Sequence, residues 1–192
     1  LNIIQSALAW RLVDLTTAAG EPIDLVIATR FPSYLVRHPR KVVWLIHQFR
    51  QIYELKGTRF SDFGERPEDA ETEKILRQFD QRALGEARAR FSISRNTADR
   101  LARFNRLEAE PLYPPPALGG RLRSGDHGDY LFSAGRLDPM KRFDLLLRAL
   151  AAARSSVRCV IAGEGPDRER LQQLACELGI AERVELPGRI AD

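Results

Sequence analysis

The chain has 192 residues, and its 44% apolar content can fill the core of one large domain or two small ones, which excludes a disordered protein. Its 30 basic and 26 acidic residues give a net charge of +4. Because the basic residues are spread along the chain, we expect no nucleic-acid partner. No apolar run approaches the ~18 residues that a membrane-spanning helix requires.

The first part of the chain predicts helices that alternate with buried strands. Apolar residues recur at helical spacing before Gly20, a helix stop signal. Two continuous apolar runs follow, which is typical of parallel strands covered on both faces. In chain order, the elements are a helix over residues 1–18, strands over 23–29 and 41–48, a helix over 68–89, a strand over 89–94 and a short helix that Asn96 caps and that ends at Phe104.

A segment rich in proline and glycine then interrupts the pattern. Its composition is that of a linker. We therefore predict a domain over residues 1–113, a hinge over 114–128 and a second domain over 129–192. The second domain repeats the alternation, with strands over 130–134, 157–162 and 183–186 and helices over 139–153 and 167–178.

Strands that alternate with helices on both sides of a linker predict an α/β protein with two parallel sheets. Ligands of such sheets bind beyond the carboxyl ends of the strands. His47, the pair Gly135 and Arg136, and the turn from Gly163 to Gly165 all fall at such ends.

The loop GRLDPMK, residues 135–141, favours binding of an anion. Asp138 is suited to cap the following helix, and Pro139 is suited to its first turn. Arg136 and Lys141 flank this turn, where the partial positive charge of the helix N-terminus would also attract a diphosphate. The alternative is that both cations are solvated surface groups, with Arg136 paired to Asp138 or Asp144.

The turn AGEGP, residues 162–166, is similar to a dinucleotide-binding turn but has Arg168 where the third glycine belongs, which argues against NAD. Gly163 and Gly165 permit close approach of a ligand, or they serve the geometry of the turn alone. His47 likewise has two interpretations. It is a hydrogen-bonded neighbour of the core, or it holds a substrate hydroxyl or a developing charge.

Four stretches together resemble the retaining GT-B glycosyltransferases of family 4, also called group 1. Residues 133–150, SAGRLDPMKRFDLLLRAL, and 159–190, CVIAGEGPDRERLQQLACELGIAERVELPGRI, are similar to the donor-domain signature. Residues 44–55, WLIHQFRQIYEL, and 92–116, SISRNTADRLARFNRLEAEPLYPPP, resemble the end of the acceptor domain and the hinge. The resemblance implies a GT-B fold of two Rossmann-like domains, each only partly present. We thus expect an internal segment of a longer protein that is inactive on its own.

The resemblance also implies site residues. Arg136 and Lys141 would grip the diphosphate of a nucleotide-sugar donor, and His47 would contact the transferred sugar. The glycines Gly135, Gly163 and Gly165 would shape the donor pocket, and Gly188 with Arg189 would lie near the base. It implies no metal and no cofactor apart from the donor substrate.

The implied reaction moves a hexose to a glycan, lipid or small-molecule acceptor. We expect a cytoplasmic location, with contact at the inner face of the membrane left open. Two alternatives also remain open, namely a non-catalytic module that binds nucleotide or phosphate, and a nucleotide-sugar epimerase of the same fold.

Overall fold

The computed structural model describes residues 3–116, 119–121, 123–153 and 155–190. The chain divides into two compact units, Leu1–Gly120 and Arg121–Asp192, here called the N-terminal and the C-terminal unit. The first two residues of the predicted first helix, and positions 117, 118 and 122 of the predicted hinge, lie outside the described residues. The described positions between 114 and 128 form no helix or strand.

The N-terminal unit contains a parallel four-stranded sheet with strand order β3-β4-β5-β6. A two-stranded antiparallel hairpin, β1-β2, precedes it. In chain order the elements are α1 (Ile3–Leu12), β1 (Thr17–Ala18), β2 (Glu21–Pro22), β3 (Val26–Arg30), β4 (Lys41–His47), α2 (Pro67–Gly85), β5 (Ala89–Ser92), α3 (Arg95–Asn105) and β6 (Glu110–Pro111).

The prediction of one helix over residues 1–18 is wrong beyond Leu12. The Asp14 carboxylate accepts hydrogen bonds from the backbone N–H and the hydroxyl of Thr16, at 2.8 and 2.7 Å. Such a local bond competes with helical hydrogen bonding. Ala19 and Gly20, with φ of 49° and 87°, then form the hairpin turn between β1 and β2. Gly20 therefore turns a hairpin and does not stop a helix.

The core of the N-terminal unit lies on one face of its sheet. Val43 and Leu45 of β4 are fully buried there against Leu76 and Leu84 of α2. On β3, Ala28 is buried, whereas Ile27, which points to the opposite face, is 57% exposed. The expectation of strands covered on both faces is therefore wrong for β3 within the part of the chain that the structure describes.

A chain of buried polar side chains crosses this core. Asp80 of α2 accepts hydrogen bonds from the hydroxyls of Tyr34 and Tyr53, at 2.7 and 3.0 Å. Asn105 of α3 donates to the Tyr53 hydroxyl at 3.4 Å and accepts a bond from the amide of Gln48 at 2.8 Å. These hydrogen bonds connect α2 and α3 to Gln48, the residue that follows β4. Each buried polar group thereby gains a partner that it would otherwise lack in the core.

The C-terminal unit contains a parallel three-stranded sheet with strand order β7-β8-β9. Leu137, Leu147, Ile161 and Leu171 are fully buried in its core. In chain order the elements are β7 (Tyr130–Ala134), α4 (Phe143–Ala152), β8 (Arg158–Ala162), α5 (Arg168–Glu177) and β9 (Val184–Gly188). Both units therefore combine a parallel sheet with helices, and the predicted α/β class is confirmed.

Two predicted helix starts are wrong in detail. The α3 helix is capped by Ser94, whose hydroxyl accepts from the Thr97 backbone N–H at 3.2 Å, and not by Asn96. The helix predicted over 139–153 is split into a short 3-10 turn, Pro139–Lys141, and α4. Arg142 separates them with a left-handed backbone, φ 57°, which no continuous helix can contain.

No helix of the described residues combines the length and the apolar character that crossing a membrane requires.

Asp80 predicts a pH-dependent stability. Burial raises the pKa of its carboxyl from the ordinary 3.8 to about 7, so between these values the folded chain keeps a proton that the unfolded chain loses. The stability that this retained proton contributes is therefore complete below pH 3.8 and is lost as the pH rises through 7. The loss is about 1.4 kcal/mol per pH unit at most. We expect the free energy of unfolding of Asp80→Asn, relative to the unsubstituted chain, to rise between pH 4.5 and 7.5 in urea titrations.

The matched control is Asp99→Asn, which removes an exposed carboxylate from α3. Its difference from the unsubstituted chain is expected to stay flat over the same range. A flat difference for Asp80→Asn as well would contradict the prediction.

Candidate functional site

The loops after the three strands of the C-terminal unit are joined at the carboxyl edge of the sheet. The Gly135 backbone N–H donates to the Ala162 carbonyl at 3.0 Å, and the Gly163 N–H donates to the Gly188 carbonyl at 2.7 Å. Arg189 follows at this edge with an exposed side chain. The structure therefore brings the predicted glycines Gly135, Gly163 and Gly188 together through their main chains.

The loops after β7 and β8 touch so closely that two positions accept only glycine. A Cβ atom on Gly163 would lie 2.0 Å from the Gly135 carbonyl oxygen, and one on Gly165 would lie 2.2 Å from the Leu137 carbonyl oxygen. Their φ angles of 132° and 157° also disfavour other residues. The contact that excludes a side chain is made by the neighbouring backbone, which supports the interpretation that these glycines serve the geometry of the turn.

The loop that carries Arg136 is fixed from both sides. The Leu137 side chain is fully buried in the core. The Leu137 N–H donates to the Glu164 carbonyl at 2.8 Å, and its own carbonyl accepts from the Asp167 N–H at 3.0 Å. Arg136 therefore stands on a rigid main chain, while its side chain is 70% exposed.

Arg136 and Lys141 are both available to an incoming anion. Arg136 forms an ion pair with Asp138 at 3.5 Å, a long and largely exposed contact of the kind that contributes little. Lys141 is exposed, and its ammonium group has no ion pair or hydrogen bond among the residues that the structure describes. The pairing of Arg136 with Asp138 is the one that the surface alternative for this loop predicted, and the exposed, unpaired Lys141 fits both interpretations.

Asp138 closes the turn between these two cations, but it caps a short 3-10 turn and not the predicted helix, because α4 begins only at Phe143. The Asp138 carboxylate accepts from the Met140 N–H at 3.0 Å, and Pro139 occupies the first position of the turn. Arg142 pairs with Asp144 instead, at 3.0 and 3.2 Å, and these hydrogen bonds hold the pKa of the Asp144 carboxyl below its usual value. Arg142 is therefore engaged by α4.

Arg168, which replaces the third glycine of a dinucleotide turn, has a structural partner. Its guanidinium donates to the Leu186 carbonyl of β9 at 2.6 Å. A side chain that reaches across to β9 occupies the place where a dinucleotide fold brings helix and strand into close contact. This agrees with the sequence argument against NAD.

His47 lies in the N-terminal unit, at the carboxyl end of β4. Its Nδ1 donates to the Gln48 carbonyl at 2.7 Å, because a carbonyl oxygen only accepts. Nε2 is then the free nitrogen of the ring, with no partner among the described residues. His47 lines a cavity of about 570 Å³, and the other lining residues are Trp10, Arg30, Phe31, Pro32, Ser33 and Phe49.

Arg30 is not among the site residues that were predicted from the sequence. It is the register partner of His47 on the neighbouring strand β3, and it faces the same cavity. The rule that singled out His47, a polar residue at the carboxyl end of a parallel strand, applies equally to Arg30, which directly follows the predicted strand 23–29. Trp10 gave no such signal, since it reaches the cavity from α1.

Comparison with known proteins bears on both units. Residues 121–192, the C-terminal unit, match the family model described as "Glycosyl transferases group 1". A stretch of 59 residues is 41% identical to the N-acetylgalactosamine-N,N'-diacetylbacillosaminyl-diphospho-undecaprenol 4-alpha-N-acetylgalactosaminyltransferase of Campylobacter jejuni, and it covers 31% of this chain and 16% of that protein. The resemblance to group 1 glycosyltransferases is thus confirmed over the C-terminal unit.

Among solved structures, the apo form of the lipopolysaccharide outer core galactosyltransferase WaaB has a similar fold, with a TM-score of 0.58 and 17% identity. The match covers 98% of this chain and 48% of that one. The chain therefore spans about half of the WaaB structure, and at this identity the likeness is one of fold.

Gly163→Ala tests the contact between the loops. The added Cβ would clash with a backbone oxygen that cannot rotate away, so we expect a loss of about 3 kcal/mol or more in the free energy of unfolding. Gly179→Ala is the matched control, because Gly179 also has a positive φ, 65°, but open space around its Cβ position. It should cost about 1 kcal/mol. Equal losses in chemical denaturation would show that backbone strain alone makes Gly163 necessary.

Proposed function

We propose that the protein is a retaining, metal-independent glycosyltransferase that moves a hexose from a nucleotide-diphosphate sugar to a glycan, lipid or small-molecule acceptor. The observation that carries this proposal is the loop of Arg136 and Lys141. It places two available cations on a rigid turn at the carboxyl edge of a parallel sheet. That loop lies inside the region that matches the group 1 glycosyltransferase model.

The chemistry proposed for Arg136 and Lys141 is electrostatic. When the bond between the sugar and the diphosphate breaks, negative charge builds on the departing nucleotide. A guanidinium and an ammonium positioned beforehand stabilise that charge without a metal ion and without reorganisation during the reaction. The Arg136–Asp138 pair is long and exposed, so an incoming diphosphate replaces it at small cost.

His47 is proposed to contact the transferred sugar. The hydrogen bond from Nδ1 to the Gln48 carbonyl fixes the ring and leaves Nε2 as an acceptor. A neutral Nε2 accepts a hydrogen bond from a sugar hydroxyl, so the residue positions the sugar rather than acting as a nucleophile. Gln48 is itself held by Asn105, which makes the position of the ring depend on the buried polar chain.

The proposal also covers the binding partners of the protein and its location in the cell. The named relatives are a diphospho-undecaprenol-dependent transferase and a lipopolysaccharide transferase, which supports an acceptor that is carbohydrate or linked to lipid. We propose that the donor is the only cofactor-like ligand, that Gly188 and Arg189 lie near its base, and that the protein works in the cytoplasm, with contact at the inner face of the membrane left open.

Inorganic pyrophosphate tests the cation loop without requiring that the nucleotide base be known. We expect Arg136→Ala and Lys141→Ala each to weaken pyrophosphate binding about 10- to 100-fold in calorimetric titration, because each removes a charge-assisted hydrogen bond. Arg148→Ala is the matched control. It removes an exposed cation of α4, and its affinity is expected to stay within about twofold of the unsubstituted protein.

Two outcomes would contradict the proposal. Equal affinity in all three variants would remove the cation loop from donor binding. Tight binding of a nucleotide-diphosphate sugar without transfer or hydrolysis of the sugar would favour the non-catalytic module instead.

A further inference from the structure

The cavity at the carboxyl ends of β3 and β4 holds an unmatched charge. Arg30 and His47 are register partners on the two strands, and both line the cavity. Among its described lining residues, Arg30 is the only arginine or lysine, and no carboxylate lines it. The guanidinium is thus the one permanent charge of the cavity wall.

Several arginines of the N-terminal unit already have an acidic partner. Arg40 pairs with Asp24, Arg50 pairs with Glu54 at 2.6 Å, and Arg77 pairs with Glu73 at 2.8 Å. For the side chain of Arg30, the residues that the structure describes provide no hydrogen bond and no ion pair. Its backbone is nevertheless fixed, since its carbonyl accepts from the Ser33 hydroxyl at 2.7 Å. An anchored arginine without a partner in a cavity is suited to an anionic ligand.

Three aromatic residues, Trp10, Phe31 and Phe49, line the cavity beside Pro32 and Ser33. Phe31 and Phe49 pack with ring centroids 5.0 Å apart, and Phe63 packs edge-on against Phe49 at 5.9 Å. Trp10, 37% exposed, adds a third aromatic lining residue. Aromatic side chains offer an apolar surface for the C–H face of a sugar ring, and beside them a charged hydrogen bond is stronger than in water.

We propose that this cavity binds a sugar that carries an anionic group, a phosphate or a carboxylate, and that Arg30 holds this group beside His47. The inference rests on the proposed function, because it names the acceptor class of the same transfer reaction. Arg30 determines specificity by charge and the aromatic side chains bind the neutral part of the acceptor sugar, whereas His47, which lines the same cavity, contacts the transferred sugar. A neutral sugar would leave the Arg30 guanidinium unpaired and bind more weakly.

The test compares matched ligands on the protein. The probes are neutral hexoses, the corresponding hexose 6-phosphates and the corresponding hexuronic acids. Binding is followed by NMR through shifts of the His47 ring signals in histidine-labelled protein. These signals are assigned by their loss in His47→Gln. We expect at least one anionic series to bind about 10-fold or more tightly than its neutral counterpart.

Arg30→Gln should abolish that preference and leave the affinity for the neutral hexose unchanged, and Arg30→Lys should restore part of it. Arg37→Gln is the matched control, because Arg37 is also exposed and lies outside this cavity. A preference for the phosphates points to a phosphorylated or diphosphate-linked acceptor, and a preference for the uronic acids points to an acidic sugar. A preference that survives in Arg30→Gln, equal binding of neutral and anionic sugars, or no response of His47 to any probe would overturn the inference.

Pyrophosphate binding by Arg30→Gln separates the two proposals. Arg30 lies in the N-terminal unit, so the affinity for pyrophosphate should equal that of the unsubstituted protein. If pyrophosphate binding depends on Arg136 and Lys141 while the sugar preference is absent, the inference fails and the proposed function stands. If pyrophosphate does not bind at all, the proposed function fails.

Discussion

The candidate site depends above all on the backbone contact between the loops that follow β7 and β8. Gly163 and Gly165 lie so close to the carbonyl oxygens of Gly135 and Leu137 that no side chain fits between them. The Leu137 N–H donates to the Glu164 carbonyl and the Leu137 carbonyl accepts from the Asp167 N–H, and both bonds fix the same contact. Arg136 consequently emerges from a main chain with little freedom, and a cation that is positioned in advance stabilises developing charge better than one that must be ordered first.

In the N-terminal unit, hydrogen bonds between side chains position the end of β4, where His47 lies. Its buried polar chain runs from Asp80 through Tyr53 and Asn105 to Gln48, the residue next to His47. Each hydrogen bond satisfies groups that burial would otherwise leave without a partner. A substitution at one end of the series therefore affects the hydrogen bonding at the other end. The raised pKa of Asp80 marks the free energy that burying this carboxyl requires. The end of β4 is thereby held by α2 and α3 together.

Most of the fold could be predicted because hydrophobic period and breaker residues act locally. The strand at 130–134 has the predicted type and bounds, and the long helix Pro67–Gly85 has the predicted type but ends at residue 85 and not at 89. The errors lie where a hydrogen bond outweighed the period, as with Asp14 and Thr16 after α1, or where one residue left the helical region, as with Arg142. Burial on the second face of β3 was also overestimated, because apolar composition does not tell which neighbours cover a strand.

Local sequence patterns suffice for the α/β class, for the strand ends at which His47 and Arg136 lie, and for the tight turn at Gly163 and Gly165. These features follow from short-range rules of periodicity, capping and turns. The packed structure is needed to show why the two glycines are required, which cations are already paired, and that Arg30 lies beside His47 in a cavity with three aromatic lining residues. Such facts depend on residues distant in the chain, since a parallel register, an ion pair or a cavity exists only once separate strands and helices pack together.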